Sequence, residues 1–348
     1  MKHFQILPKL SRGDQVGIIS PSAGLPGIFP WVQDLGLERM REVFDLVPVE
    51  YPTTRTMGAS LEDRARDAMA AFADPNNKAV FASIGGNDQI KLIKHLDPQV
   101  FLDNPKPFFG YSDNTHLHNF LWNLGIPSYY GGGIMNQFGM NVQMFDMTIR
   151  SIKHALFDEG EFVLEVASEF NDEGHDGGWA IKENLALPRK LEPNDGLAWD
   201  GEINAEGVLW GGCVESLVAQ MATGKYLPND DDLGGAILVL ETAEDIPEHW
   251  IIAYLLTGLG ERGWLEKFQA VLVGRPKAWE SDKQLTLEQK AEYRKQQRET
   301  VVNTVRQYNA HIPIVQNLDF GHTDPQVVLP LGRKARVVTD EHKVYLSY

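Results

Sequence analysis

The feature that most constrains this chain is the rhythm of its first half, where short apolar runs closed by glycine- or serine-rich turns alternate with stretches of helical periodicity. Residues 15–20 (Gln-Val-Gly-Ile-Ile-Ser) read as a buried strand and run into Pro21-Ser22-Ala23-Gly24. Leu61, Ala65, Ala68, Met69 and Phe72 recur at helical spacing, and Asp74-Pro75-Asn76-Asn77 stops that helix. Residues 78–84 form the next strand and end at Gly85-Gly86-Asn87-Asp88. A helix is expected after them, with Ile90, Leu92, Ile93 and Leu96 on one side. Residues 108–111 are another strand and 115–124 another helix. Such alternation demands a mostly parallel sheet covered on both faces. Ligands of such sheets sit at the carboxyl ends of the strands. Gly85, Gly86 and Ser112 all fall at such ends and are expected to share one crevice.

The rhythm breaks at residues 168–200. Asn171, Asp172, Gly174, Asp176, Gly177 and Gly178, then Pro188, Pro193, Asn194, Asp195 and Gly196, make a polar, turn-rich stretch that also holds Trp179 and Trp199. It reads as an inter-domain linker. The expected organisation is an N-terminal α/β domain over 1–167, with a mostly parallel sheet flanked by helices, and a C-terminal mixed, largely β domain over 201–348. In the latter, residues 207–212, 235–241 and 268–274 read as strands, residues 327–331 with 334–338 as a terminal hairpin, and residues 286–308 as a long solvated helix.

Composition narrows the partners. With 348 residues and 43% hydrophobic content the chain is an ordinary globular protein, and no apolar run approaches the roughly 20 residues that span a bilayer. The first ten residues do not resemble a signal peptide. A single cysteine, Cys213, precludes an internal disulfide and fits a reducing compartment, so the cytoplasm is the expected location. A net charge of −16 disfavours nucleic acid or an anionic membrane as partner, although solubility alone also accounts for it.

The residues able to carry chemistry converge on acyl transfer. In Gly110-Tyr111-Ser112-Asp113-Asn114, the serine sits on a sharp turn between strand and helix, which is how an α/β hydrolase presents a nucleophile; Asn114 replaces the closing glycine of that motif. A helix N-cap is the plain alternative. Glu241 ends the apolar run 236–240 and would enter the crevice, or would serve only as an acid ahead of the next helix. His322 lies in the turn-rich Leu318-Asp319-Phe320-Gly321-His322-Thr323-Asp324-Pro325, where packing does not require a histidine; an exposed turn histidine is the alternative. Their order, nucleophile, acid, base, is that of the α/β hydrolases. His322 would take the proton of Ser112 Oγ, Glu241 would orient the imidazole, and the amides of Gly86 and Asp113 would form the oxyanion hole. His116 and His118 point to different sides of a helix, and neither a cysteine pair nor a His-Glu-x-x-His sequence occurs, so no metal is expected. The glycine clusters match neither a phosphate loop nor a dinucleotide fingerprint, and no organic cofactor is expected. Cys213 reads as buried packing.

Six segments together resemble the LD-carboxypeptidase family of serine peptidases, nearest its microcin C self-immunity branch. They are Gly13-Asp14-Gln15-Val16-Gly17-Ile18-Ile19-Ser20-Pro21-Ser22, Ser83-Ile84-Gly85-Gly86-Asn87-Asp88, Gly110-Tyr111-Ser112-Asp113-Asn114-Thr115, Leu209-Trp210-Gly211-Gly212-Cys213, Leu240-Glu241-Thr242 and Phe320-Gly321-His322-Thr323-Asp324. The resemblance implies a triad of Ser112, Glu241 and His322, an oxyanion hole at Gly86 and Asp113, a cleft between two domains, and a homodimer. It implies two competing substrates. Muropeptide members remove a terminal D-alanine, and tend to carry Arg-Gly-Gly-Tyr-Gly where this chain has residues 83–88. Immunity members cleave the amide-like bond between an aspartyl group and a nucleotide-like moiety, and stack a loop tryptophan on the base. Trp179 is the expected stacking residue, with Trp199 as the alternative; Asn87 and Glu215 are further candidate substrate contacts. Arg189, Arg275 and Lys277 are possible sources of a positive patch for an anionic substrate. A catalytically silent peptide- or nucleotide-binding protein is the reading from another class.

Overall fold

The computed structural model describes residues 2–348. In its first part β1 (Gln15–Ile19), α1 (Pro30–Phe44), β2 (Val47–Glu50), α2 (Leu61–Ala73), β3 (Asn77–Ala82), α3 (Pro98–Asp103), β4 (Phe108–Gly110), α4 (Thr115–Asn123), β5 (Ser128–Tyr130) and α5 (Asp146–Phe157) follow in turn. Strands β2, β1, β3, β4 and β5 pair in parallel, in that order. The local chemistry is that read from the sequence: Ser60 caps α2 by accepting from the Asp63 amide, and α2 stops at Asp74.

The later chain runs through β6 (Glu161–Val163), β7 (Glu169–Phe170), β8 (Glu192–Pro193), β9 (Ala198–Asp200), β10 (Ala205–Cys213), α6 (Val214–Thr223), β11 (Ile237–Glu241), α7 (His249–Glu261), β12 (Ala270–Gly274), β13 (Trp279–Glu280), β14 (Lys283–Gln284), α8 (Leu287–Tyr308), β15 (Ile314–Leu318), β16 (Leu329–Leu331), β17 (Lys334–Val338) and β18 (Lys343–Ser347). An eight-stranded mixed sheet, ordered β6-β18-β17-β10-β11-β12-β15-β9, has β10, β11, β12 and β15 in parallel at its centre. The C-terminal sheet is mixed, as expected, and α6, α7 and α8 pack their apolar faces on Trp210, Leu238, Val271 and Ile314.

Three expectations need correction. Residues 89–96 form two 3-10 turns, not a helix. The buried Gln89 side chain reaches across to Asn114 Oδ1 and accepts from the Leu117 amide, and Pro98 restarts the chain nearby, so the segment serves α4 rather than its own periodicity. The terminal hairpin is β17 with β18; β16 instead lies antiparallel to β5. The boundaries at 167 and 201 are not sheet boundaries either, since β6 joins the C-terminal sheet and β16 the N-terminal one. One apolar core, holding Val16, Phe81, Phe109, Val239, Leu272 and Leu329, runs continuously between the two sheets. The carboxyl ends of β3, β4 and β11 open on a single cleft.

Candidate active site

Ser112 follows β4 with φ of 63°, in the left-handed region where a non-glycine residue is strained. The turn is fixed from three directions. The Ser112 amide donates to Tyr130 Oη at 3.0 Å, its carbonyl accepts from Thr115 Oγ1 at 2.7 Å, and Thr115 Oγ1 accepts in turn from the Cys213 amide at 2.9 Å. The second domain thus braces the nucleophile turn.

The Asp113 side chain, 4% exposed, ties the loop after β3 to this turn. One of its carboxylate oxygens accepts from the amides of Asp88 and Gln89, each at 3.0 Å, and from Ser22 Oγ. Arg64 holds Asp88 through two contacts of 2.8 Å. Gly86 is thereby set beside Ser112 on the cleft wall. A Cβ at Gly86 would collide with Ser22 Oγ, so only glycine leaves that amide free to approach a ligand.

Glu241 ends β11 with its side chain 1% exposed, and His322 lies in the loop after β15. Glu241 Oε2 meets His322 Nδ1 at 2.6 Å, and Glu241 Oε1 accepts from Tyr130 Oη at 2.6 Å. Gly321, at φ of 94°, permits the close approach: a Cβ there would lie 2.6 Å from Glu241 Oε2. The other imidazole nitrogen, Nε2, is 3.0 Å from Glu244 Oε2. Burial opposes the charged imidazolium, but the carboxylates of Glu241 and Glu244 outweigh it and raise the His322 pKa to about 10. The same contact with His322 holds the Glu244 carboxyl below its ordinary range. Burial pushes the Tyr130 and Tyr111 hydroxyls well up, so both stay neutral.

Ser112, Gly86, His322 and Trp179 line one cleft of about 370 Å³. Its outer wall is the stretch read as a linker, which is folded rather than loose. Lys290 Nζ, 1% exposed, contacts Asp172 at 3.2 Å, Glu173 at 2.7 Å, and Glu192; Arg294 joins Asp172 and Glu192. These three carboxylates are close enough to hold a metal ion, but the Lys290 ammonium occupies that place. Arg189 pairs with Asp324 at 2.6 Å, and Asn171 and Asp324 exchange backbone hydrogen bonds. Trp179 is half-buried, its carbonyl accepts from Trp31 Nε1 at 3.0 Å, and its ring meets Phe29 edge-on.

Other candidates fall outside the cleft. Trp199 sits on β9 against Val315 and the core. Asn87 is exposed beside Gly86 without lining the cleft. Glu215 turns inward, where it accepts from the Ala243 amide and Cys213 Sγ, each at 3.1 Å; burial raises its pKa. Arg275, 1% exposed, is consumed by Asp319 at 2.8 Å, whereas Lys277 and Arg189 do face the cleft. His118 is buried between Ser128 Oγ and the Gly110 carbonyl, and His116 contacts Asp113. Cys213 is buried, and burial pushes its thiol well up. Sequence reasoning missed Tyr130, which bridges Ser112 and Glu241, and Glu244. The only trace of Glu244 was a second acid three residues beyond Glu241.

Comparison with known proteins agrees with this layout. Residues 16–131 match the LD-carboxypeptidase N-terminal domain and residues 206–337 the LD-carboxypeptidase C-terminal domain. A putative carboxypeptidase of Bacillus subtilis, YocD, is 26% identical over 94% of this chain and 94% of its own length. The microcin C7 self-immunity protein MccF of Escherichia coli is 24% identical over 99% of this chain and 96% of its own. The solved structure of an MccF-like protein from Streptococcus pneumoniae in complex with AMP superposes with a TM-score of 0.82 at 25% identity, covering 96% of this chain and 99% of that one. Among the described residues no helix is long and apolar enough to cross a membrane. With both domain types matched in order, the chain belongs to the LD-carboxypeptidase family of serine peptidases.

Proposed function

We propose that this enzyme hydrolyses an amide-type bond of an aminoacyl-nucleotide or small peptidyl-nucleotide, with Ser112 as nucleophile, His322 as base and Glu241 as its orienting acid. The observation that carries the reading is the strained Ser112 turn opening on the same cleft as the buried His322–Glu241 pair. Neutral His322 accepts the Ser112 proton on Nε2 as Oγ attacks the acyl carbon. The carbonyl oxygen gains the electron pair and faces the amides of Gly86 and Asp113. A donor of this kind is worth roughly 3 kcal/mol of transition-state stabilisation. Collapse expels the amine, which takes the proton from His322, and a water deprotonated by His322 then releases the acyl group from Ser112.

Trp179 supplies a flat face on the cleft wall for a nucleobase, and Lys277 a cation for an anionic linkage. The AMP complex of the S. pneumoniae protein supports this assignment over a muropeptide. The reading takes the enzyme as a cytoplasmic homodimer. A lone, buried cysteine fits a reducing compartment, and the family resemblance implies the dimer.

The test is to offer wild-type and Ser112→Ala protein two substrates side by side, aspartyl sulfamoyl adenosine and a muramyl tetrapeptide ending in D-alanine. Ser112-dependent cleavage of the adenosine compound alone is the expected result. Cleavage of the tetrapeptide alone would move the enzyme to cell-wall recycling. Tight binding without turnover, indifferent to Ser112→Ala, would make it a silent binder.

A further inference from the structure

The proposed mechanism needs His322 Nε2 to face Ser112, yet in the free enzyme that nitrogen lies 3.0 Å from Glu244 Oε2. The two carboxylates on the ring differ in kind. Glu241 is buried, ends a central strand and is held by Tyr130. Glu244 lies in the loop between β11 and α7, and its side chain is 55% exposed. A carboxylate so exposed loses little on release, because water takes up its charge. Lys277 offers a second destination. It lines the same cleft, is not in an ion pair among the described residues, and has Glu244 as the nearest influence on its charge, with Asp172, Glu280 and Asp324 beyond.

We propose that Glu244 is a positioning residue that caps His322 Nε2 in the free enzyme, and that a substrate seated in the cleft displaces it toward Lys277 before proton transfer begins. This rests on the Ser112–His322–Glu241 assignment above. The groups facing His322 are the carboxylates of Glu241 and Glu244 and the ring of Tyr111 at 5.0 Å, with Asp324 two residues along the same loop. Those influencing Glu244 are His322 and Lys277. While capped, His322 stays cationic and cannot take the Ser112 proton. Removing the Glu244 charge leaves one carboxylate on the ring, so the imidazole loses its proton at lower pH.

The pH dependence of kcat/KM reads the free enzyme, and that of kcat the substrate complex. In Glu244→Gln the acid limb of kcat/KM is expected to fall by about one pH unit or more, which raises kcat/KM about tenfold below both limbs. The acid limb of kcat is expected to keep its place, because the substrate complex is already uncapped. Lys277→Met, which removes the acceptor for the displaced carboxylate, is expected to move the kcat/KM limb upward. A nitrogen-15 imidazole NMR titration of the free protein, with and without Glu244→Gln, reads the same change without any substrate. Coincident titrations, or a uniform fall of kcat/KM at every pH in Glu244→Gln, would overturn the proposal. Activity surviving Ser112→Ala would instead overturn the nucleophile assignment, so the two failures are distinct.

Discussion

The floor and the outer wall of the cleft are built on different physics. The floor is strand ends: Ser112 after β4, Gly86 after β3 and Glu241 on β11 rise from two sheets that share one apolar core. The wall, residues 168–200, has little apolar core. It is clasped by ions and amides: Lys290 and Arg294 on Asp172 and Glu192, Arg189 on Asp324, and Asn184 Nδ2 on the carbonyls of Asp176 and Gly178. A floor set by close packing holds reacting atoms to fractions of an ångström. A wall set by polar clasps can differ between members of one family and so carry substrate choice.

Substitutions on the two sides are expected to act differently. The largest effect belongs to the floor: Ser112→Ala should lower kcat by roughly 10⁴-fold or more with little change in ligand affinity. Glu241→Gln should follow, with a loss of roughly 10³- to 10⁴-fold, because the neutral amide no longer fixes the imidazole tautomer. Trp179→Ala, on the wall, should instead weaken binding by roughly 1–3 kcal/mol if the ring stacks on a base. Calorimetry on the Ser112→Ala background reads this directly, and unchanged affinity would make Trp179 packing alone. Tyr130→Phe should cost about 1–3 kcal/mol of stability by leaving the Ser112 amide and Glu241 Oε1 unpaired in a buried site; chemical denaturation measures it.

The pH dependence of stability sharpens the contrast further. The folded pKa of His322 is raised, so its pairing stabilises the fold fully below the unfolded histidine range and is lost as pH rises through about 10. Glu244 is lowered, so its contribution is present above the unfolded carboxyl range and lost as pH falls toward its folded pKa. Glu244→Gln should therefore remove part of the alkaline loss and part of the acid loss together, which thermal melts across pH would show.

The floor was legible in sequence because each of its residues ends a short apolar run, and strand ends in α/β sheets converge on one crevice. The wall was not. A run of Gly, Asn, Asp and Pro signals turns, but its fold depends on Lys290 and Arg294, more than ninety residues from the start of that stretch and carried on a helix that reads as solvated. The hairpin misreading has a similar cause. Residues 327–331 and 334–338 each carry strand propensity, and only long-range pairing sends the first to β5 and the second to β10. Glu244 stayed hidden because its contact with His322 is set by two loops whose geometry no periodicity encodes.

The most direct test of the central claim is single-turnover hydrolysis of aspartyl sulfamoyl adenosine by wild-type and Ser112→Ala protein, with mass spectrometry of the quenched enzyme. The account predicts an acyl adduct on Ser112 in the wild type, followed by release of aspartate, and neither adduct nor turnover in the variant. Undiminished turnover by Ser112→Ala would contradict it.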